Sequence, residues 1–318
     1  MNSNTNKTNS RKHIGIFAAV ALAILVIGVV QLKTTKLALA KDTEMTFQSP
    51  SDAGAALAQA VQSGDELAVA QILGLDTKAL LTTGEKEADL AALKIFASKY
   101  ERMNRWVDMT DGSRVLYIGA DNFAFPVPLT KNSSGRWHFD AVAGAQEIRA
   151  RDIGRNELLT IDACSELADA QQMYIAVTDS GAFAQRIIST PGKQDGLYWP
   201  ASDTQNESPL ASLSELPDSS LPSLSPDQPL VVDGYVLRVL TAQGDDAPGG
   251  PMSYIVNGKM TGGFAILATP VKYAETGIMT FMTGVDGVIY ERDLGPDTAK
   301  VAASITEFNP TDDWSSVE

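Results

Sequence analysis

Apolar residues run almost without a break from Ile14 to Leu32, relieved only by Gly15, Gly28 and Gln31. A membrane-spanning helix needs about 20 apolar residues, and this run reaches that length. Lys7, Arg11 and Lys12 precede it and favour an orientation with the N-terminus inside. Lys33 and Lys36 follow, and then Ala38-Leu39-Ala40, a pattern suited to signal peptidase. Two readings stay open: an anchor through residues 14–32, or a secretory signal cleaved after Ala40. Both place the chain beyond residue 41 outside the cytoplasm, so 1–41 reads as an address rather than a part of a core.

The pattern then takes a helical period. Ser49-Pro50-Ser51-Asp52 is a helix start, and Ala53–Gln62 carries small apolar residues at helical spacing. Ser63-Gly64-Asp65 stops it, and Glu66–Leu73 makes a second short helix closed by Gly74. Lys86–Arg102 predicts a third, with Leu90, Leu93, Phe96, Ala97 and Tyr100 on one face. From Trp106 the period falls to two. The Asp111-Gly112 turn and then Ser113–Ile118 predict one hairpin. Phe123–Thr130 and Arg136–Asp140 around the turn 132–135 predict another, with Pro126 and Pro128 marking an edge strand. Helices followed by an antiparallel sheet make an α+β unit over 45–145, similar in element order to cystatin-like or NTF2-like modules.

A second α+β domain is expected over 146–318. Glu147–Val177 reads as helix with a break at Gly154, and its stripe is Leu158, Ile161, Cys164, Ala168 and Ile175. Residues 201–229, rich in Ser, Pro and acid, read as a long exposed loop. Strands follow at Gly234–Thr241, Gly262–Thr269, Ile278–Thr283 and Val288–Glu291, the last two joined at Asp286-Gly287 as a hairpin. Thr298–Ile305 predicts a closing helix capped by Asp297.

Charge and composition narrow the function. The 318 residues carry a net charge of −14, which disfavours nucleic acid, since that partner needs a basic face. One cysteine, Cys164, allows no intrachain disulfide, and two histidines, His13 and His138, leave no ligand set for zinc, haem or an iron–sulfur cluster. Cys164 falls on the apolar stripe near Asp162 and Glu166, as a small hydrophobe rather than a thiolate. His138 alternates with Trp137 and Phe139 and faces away from both; no G-x-S-x-G elbow offers it a nucleophile.

Several strings occur in order along the chain: IGRNE at 153–157, STPGKQDGLYW at 189–199, LTAQG at 240–244, APGG at 247–250, VNG at 256–258, GGF at 262–264 and DLGPD at 293–297. Together they resemble the bacterial envelope family known as domain of unknown function 2950, over nearly all of the chain beyond residue 45. The resemblance implies an envelope location, anchored at the inner membrane facing the periplasm or secreted, and no activity. The second region alone also resembles the globular part of pilins, in its long helix, variable loop and antiparallel meander.

Two loops are candidates for chemistry. Residues 189–200 lack the Ser or Thr that must follow Gly-Lys in a phosphate loop. Pro191-Gly192 and Asp195-Gly196 are instead turn dipeptides that deliver Leu197, Tyr198 and Trp199 to a core. Gly196 is expected at positive φ. A ligand or partner contact through Lys193, Asp195, Tyr198 and Trp199 stays open. In the loop 244–250, Asp245 and Asp246 offer oxygen ligands to calcium, without EF-hand spacing. The function expected is a membrane-tethered, non-enzymatic envelope protein working through protein contacts or assembly. The alternative is a periplasmic hydrolase or carbohydrate-binding protein using Asp or Glu and the Trp199 loop.

Overall fold

The computed structural model describes residues 45–74, 86–200, 206–210 and 228–317, with the side chains of 86–90 excepted. The apolar run at 14–32, the Ala38-Leu39-Ala40 site and most of the loop 201–229 lie outside the described residues. Among the described residues no helix is long and apolar enough to cross a membrane. The architecture is α+β, with helices and antiparallel sheets. It divides into two compact units, one of described residues 45–159 and 271–278, the other of 160–270 and 279–317. The chain first passes from one to the other within a helix, returns for residues 271–278, and passes back at 279.

In the N-terminal unit the helix starts are local and strong. Helix α1 (Pro50–Ser63) opens with a reciprocal cap: Ser49 Oγ accepts the Asp52 N–H at 3.2 Å, and the Asp52 carboxylate accepts the Ser49 N–H at 3.1 Å. Gly64 closes α1 in the left-handed conformation, and α2 (Glu66–Leu73) is capped by Asp65 and closed by Gly74 in the same way. Helix α3 (Lys86–Arg102) completes the helical layer.

Strands β1 (Asn104–Asp108), β2 (Arg114–Ile118), β3 (Phe123–Ala124), β4 (Leu129–Lys131) and β5 (Trp137–Phe139) form an antiparallel sheet in the order β1-β2-β4-β5, with β3 also on β2. Both predicted hairpins are present. The single proline-bearing edge strand is not. Pro126 and Pro128 cannot donate to a ladder, so the chain leaves the sheet there, and β4 re-enters between β2 and β5 rather than at an edge. Phe47, Leu57, Val61, Ile72, Leu129 and Phe139 are buried together, with Phe96 and Trp106 packed against them.

Helix α4 (Ala141–Thr178) runs unbroken for 38 residues. It starts six residues before the expected position because Asp140 Oδ1 accepts the Ala143 N–H at 2.9 Å. Gly154 does not break it: a Cβ there would meet open space, and the intrahelical ladder carries the glycine. The buried stripe of the C-terminal part is Thr160, Cys164, Leu167, Gln171 and Tyr174, whereas Leu158, expected on it, is 66% exposed.

In the C-terminal unit, β6 (Leu230–Val232), β7 (Tyr235–Leu240), β12 (Ala265–Pro270), β13 (Met279–Gly284), β14 (Ile289–Asp293) and β15 (Ser315–Ser316) form a sheet in the order β15-β14-β13-β12-β7-β6. Two short ladders accompany it, β8 (Ala242–Gln243) with β9 (Met252–Ser253), and β10 (Ile255–Val256) with β11 (Lys259–Met260). Strand β12 is covered on both faces. Ile266 and Ala268 join Cys164, Leu167, Tyr174 and Phe281 in one core, while Ala265 and Leu267 join Tyr254, Met260, Phe264 and Phe308 in another. This is why the string GGFAILAT reads as continuously apolar rather than alternating. Helix α5 (Thr298–Ser304) is fixed at its end by Arg238, which donates to the Ala302 and Ile305 carbonyls. Asp297 precedes α5 but makes no side-chain cap; its backbone carbonyl accepts instead.

Candidate functional site: a charged cleft beside the 189–199 loop

The loop is a seating turn. Pro191 and Gly192 occupy the centre of a turn closed by Lys193 N–H to Thr190 C=O at 2.9 Å, with Gly192 at φ 79°. Asp195 reaches back and accepts from both the Thr190 N–H at 2.7 Å and the Thr190 hydroxyl at 2.8 Å. The chain then runs beside its own start: Tyr198 N–H donates to Ile187 C=O, and Ser189 N–H to Tyr198 C=O, both at 2.8 Å. Gly196 sits where the two runs cross. It is not at positive φ; a Cβ there would lie 2.6 Å from Ser189 N and 2.7 Å from the Ile188 carbonyl carbon. The glycine is required by close approach of backbone, not by handedness.

Leu197, Tyr198 and Trp199 are thereby buried, at 0%, 9% and 2% exposure. Trp199 packs edge-on to Tyr174 and donates its indole N–H to Asn206 C=O at 2.8 Å. Both rings are turned into the core, as a seating turn requires. Lys193 remains exposed at the tip.

Asp195 belongs to a cleft of about 230 Å³. Tyr174 from α4, the segment 180–186, and Lys259 and Met260 of β11 supply the other walls. Burial works to raise the Asp195 carboxyl, but the Thr190 hydrogen bonds and the Arg186 charge outweigh it and hold the group below the ordinary value. Arg186 donates to Thr190 Oγ1 at 3.3 Å. Burial, with the Asp195 charge, raises the Tyr174 phenol, whose O–H donates to Gln194 C=O at 2.7 Å. The segment 182–186 is clamped from two sides. Gln171 holds Ala184, and Phe183 N–H donates to Met260 C=O at 2.8 Å. Gln185 Nε2 donates to Gly258 C=O at 2.9 Å.

The other candidates do not line this cleft. Cys164 is wholly buried, and burial pushes its thiol up to about 12, so it presents no thiolate. Asp245 is exposed, and Asp246 is paired with Asn309 in both directions: its N–H donates to Asn309 Oδ1 at 2.8 Å and its carboxylate accepts from Asn309 Nδ2 at 3.0 Å. Among the described residues no three His, Cys, Asp or Glu side chains gather where they could hold a metal ion. His138 is half-buried on β5, opposite Thr130, on the face away from Trp137 and Phe139.

Arg186, Gln185 and Lys259 had no motif to mark them. The one available signal was Asn257-Gly258, the strongest short-range hairpin dipeptide, which places Lys259 at the start of β11.

Residues 44–317 match the model of a family described as a protein of unknown function, DUF2950. The chain belongs to this family. No curated protein and no solved structure matches it. The expected similarity of the second region to pilin globular domains therefore has no support, and neither has the cystatin or NTF2 analogy.

Proposed function

We propose that this DUF2950 protein is a membrane-tethered envelope protein that works by binding rather than by catalysis, and that it binds at the cleft beside the 189–199 loop. The sequence supports the tether: a basic N-terminus precedes an apolar run at 14–32 of spanning length. The observation that carries the binding reading is the convergence of Arg186 and Lys259 on one cleft. Residues 160–270 and 279–318 contain only 6 Lys or Arg against 21 Asp or Glu, so two cations lining one cleft are a local exception in a strongly acidic unit. A cleft lined by charged groups over apolar side chains is a recognition surface. The Cys164 thiol and the Trp199 indole are buried in the core.

The test uses the full chain in detergent, assayed against a broad hydrolase panel and used to capture partners from envelope extract. The expected result is no turnover, with capture lost in Lys259→Glu and kept in Lys193→Glu. Turnover abolished by a single carboxylate substitution would replace this reading with an enzymatic one.

A further inference from the structure

The charge pattern of the cleft identifies a class of ligand, on the reading that the cleft is a binding site. Three charged side chains line it, Arg186, Lys259 and Asp195; hydrogen bonds hold the first and the third, and Lys259 is exposed on a hairpin that hydrogen bonds tie down. Thr190 stands between two of them: its hydroxyl donates to Asp195 Oδ2 at 2.8 Å and accepts from Arg186 Nη1 at 3.3 Å. Lys259 comes from a different element. The Asn257-Gly258 turn, with φ of 52° and 78°, starts β11, and the Gln185–Gly258 and Phe183–Met260 hydrogen bonds tie that hairpin to the segment carrying Arg186. Ala182, Phe183 and Met260 contribute the apolar part of the wall.

A simple anion suits Arg186 and Lys259 but meets Asp195. A simple cation meets two positive charges. A neutral sugar displaces water from three charged groups and replaces none of their interactions, which is unfavourable for each. A group carrying both signs satisfies all three. The size agrees: at about 30 Å³ per water, 230 Å³ holds about eight waters, the room of one medium-sized residue or two small ones. We propose that the cleft takes a zwitterionic amino-acid group, either a free α-amino acid or a short peptide, with its carboxylate at Arg186 and Lys259 and its ammonium at Asp195. The side chain rests on Ala182, Phe183 and Met260.

Titration calorimetry of the full chain in detergent tests this with four probes: leucine, alanyl-leucine, leucine amide and N-acetyl-leucine. The expected result is binding of leucine or alanyl-leucine, with the amide and the N-acetyl compound each at least about tenfold weaker, the effect of one lost charged contact. The leucine to alanyl-leucine ratio distinguishes a free amino acid from a peptide. Lys259→Ala should weaken the zwitterion about tenfold and leave the weak binding of leucine amide unchanged. N-acetyl-leucine binding as tightly as leucine would overturn the proposal, and so would no binding by any probe. In the second case, partner capture that still depends on Lys259 leaves the binding reading standing and removes only the ligand class. Loss of both removes both.

Discussion

The side-chain amide of Gln171 takes the place of a neighbouring strand for Ala184: its Oε1 accepts the Ala184 N–H at 2.8 Å, and its Nε2 donates to the Ala184 carbonyl at 2.9 Å. Gln171 is 0% exposed, so no water can replace either bond. Gln171→Leu should leave two buried backbone groups unsatisfied, at about 1–3 kcal/mol each. Urea denaturation measures this; a loss below about 0.5 kcal/mol would show that the segment 182–186 is held by something else. Because that segment carries Arg186, the variant should also impair the cleft.

The 189–199 loop makes a graded prediction. Trp199→Ala removes a buried aromatic and should cost about 3–5 kcal/mol. Lys193→Ala removes an exposed side chain at the turn tip and should stay within about 0.5 kcal/mol. Gly196→Ala should be strongly destabilising, because its Cβ would meet backbone at 2.6 and 2.7 Å and backbone cannot swing aside. Gly192→Ala should cost about 1–2 kcal/mol, the penalty of left-handed backbone for a residue with a Cβ. Thermal unfolding of the four variants checks the ranking. Trp199→Ala melting like the wild type would contradict the seating role.

These cases show what the sequence made legible. The starts of α1 and α2 were readable because a cap is a contact within three residues, and the Asp111-Gly112 and Asp286-Gly287 hairpins because a tight turn fixes its own register. Gly196 was misread because Asp-Gly normally signals positive φ, while the real constraint is a crossing of Ile188 and Gly196 that only the folded loop contains. Helix α4 was expected to break because an isolated Gly154 weakens a helix by about 1 kcal/mol, which 38 residues of continuous ladder absorb. The ladders β8–β9 and β10–β11 are two residues per strand, too short for any period. The cleft is invisible in the sequence for a different reason: Tyr174, Arg186, Asp195 and Lys259 come together only through tertiary pairing.

Cys164 makes a prediction in pH. Burial raises its thiol from 9.0 to about 12, so the folded chain holds a proton that the unfolded chain releases near pH 9. The stability linked to the protonated thiol is complete below pH 9 and is lost as pH rises towards 12. The urea midpoint of the wild type should therefore fall more steeply across this range than that of Cys164→Ala. A thiol reagent at pH 8 should label the single cysteine only after unfolding. Rapid labelling of the folded chain would contradict the burial.

The described cores begin at Phe47, and the address read in residues 1–41 is separate from the helical pattern that starts at Ser49. Removal of residues 1–41 should therefore give a soluble chain with normal circular dichroism and cooperative unfolding, while the full chain fractionates with membranes. Insolubility of the truncated chain despite normal secondary structure would mean that the segment covers an apolar surface.

The central claim, that the protein acts by binding at the cleft of Arg186 and Lys259, is tested most directly by crosslinking in the cell. A photoreactive amino acid replaces Val256, exposed and paired opposite Lys259, in the full chain, with the same group at the exposed hairpin residue Asp111 as control. The account predicts a discrete adduct, or protection from solvent capture by a small bound ligand, at position 256 and neither at position 111. Identical behaviour at the two positions would contradict it.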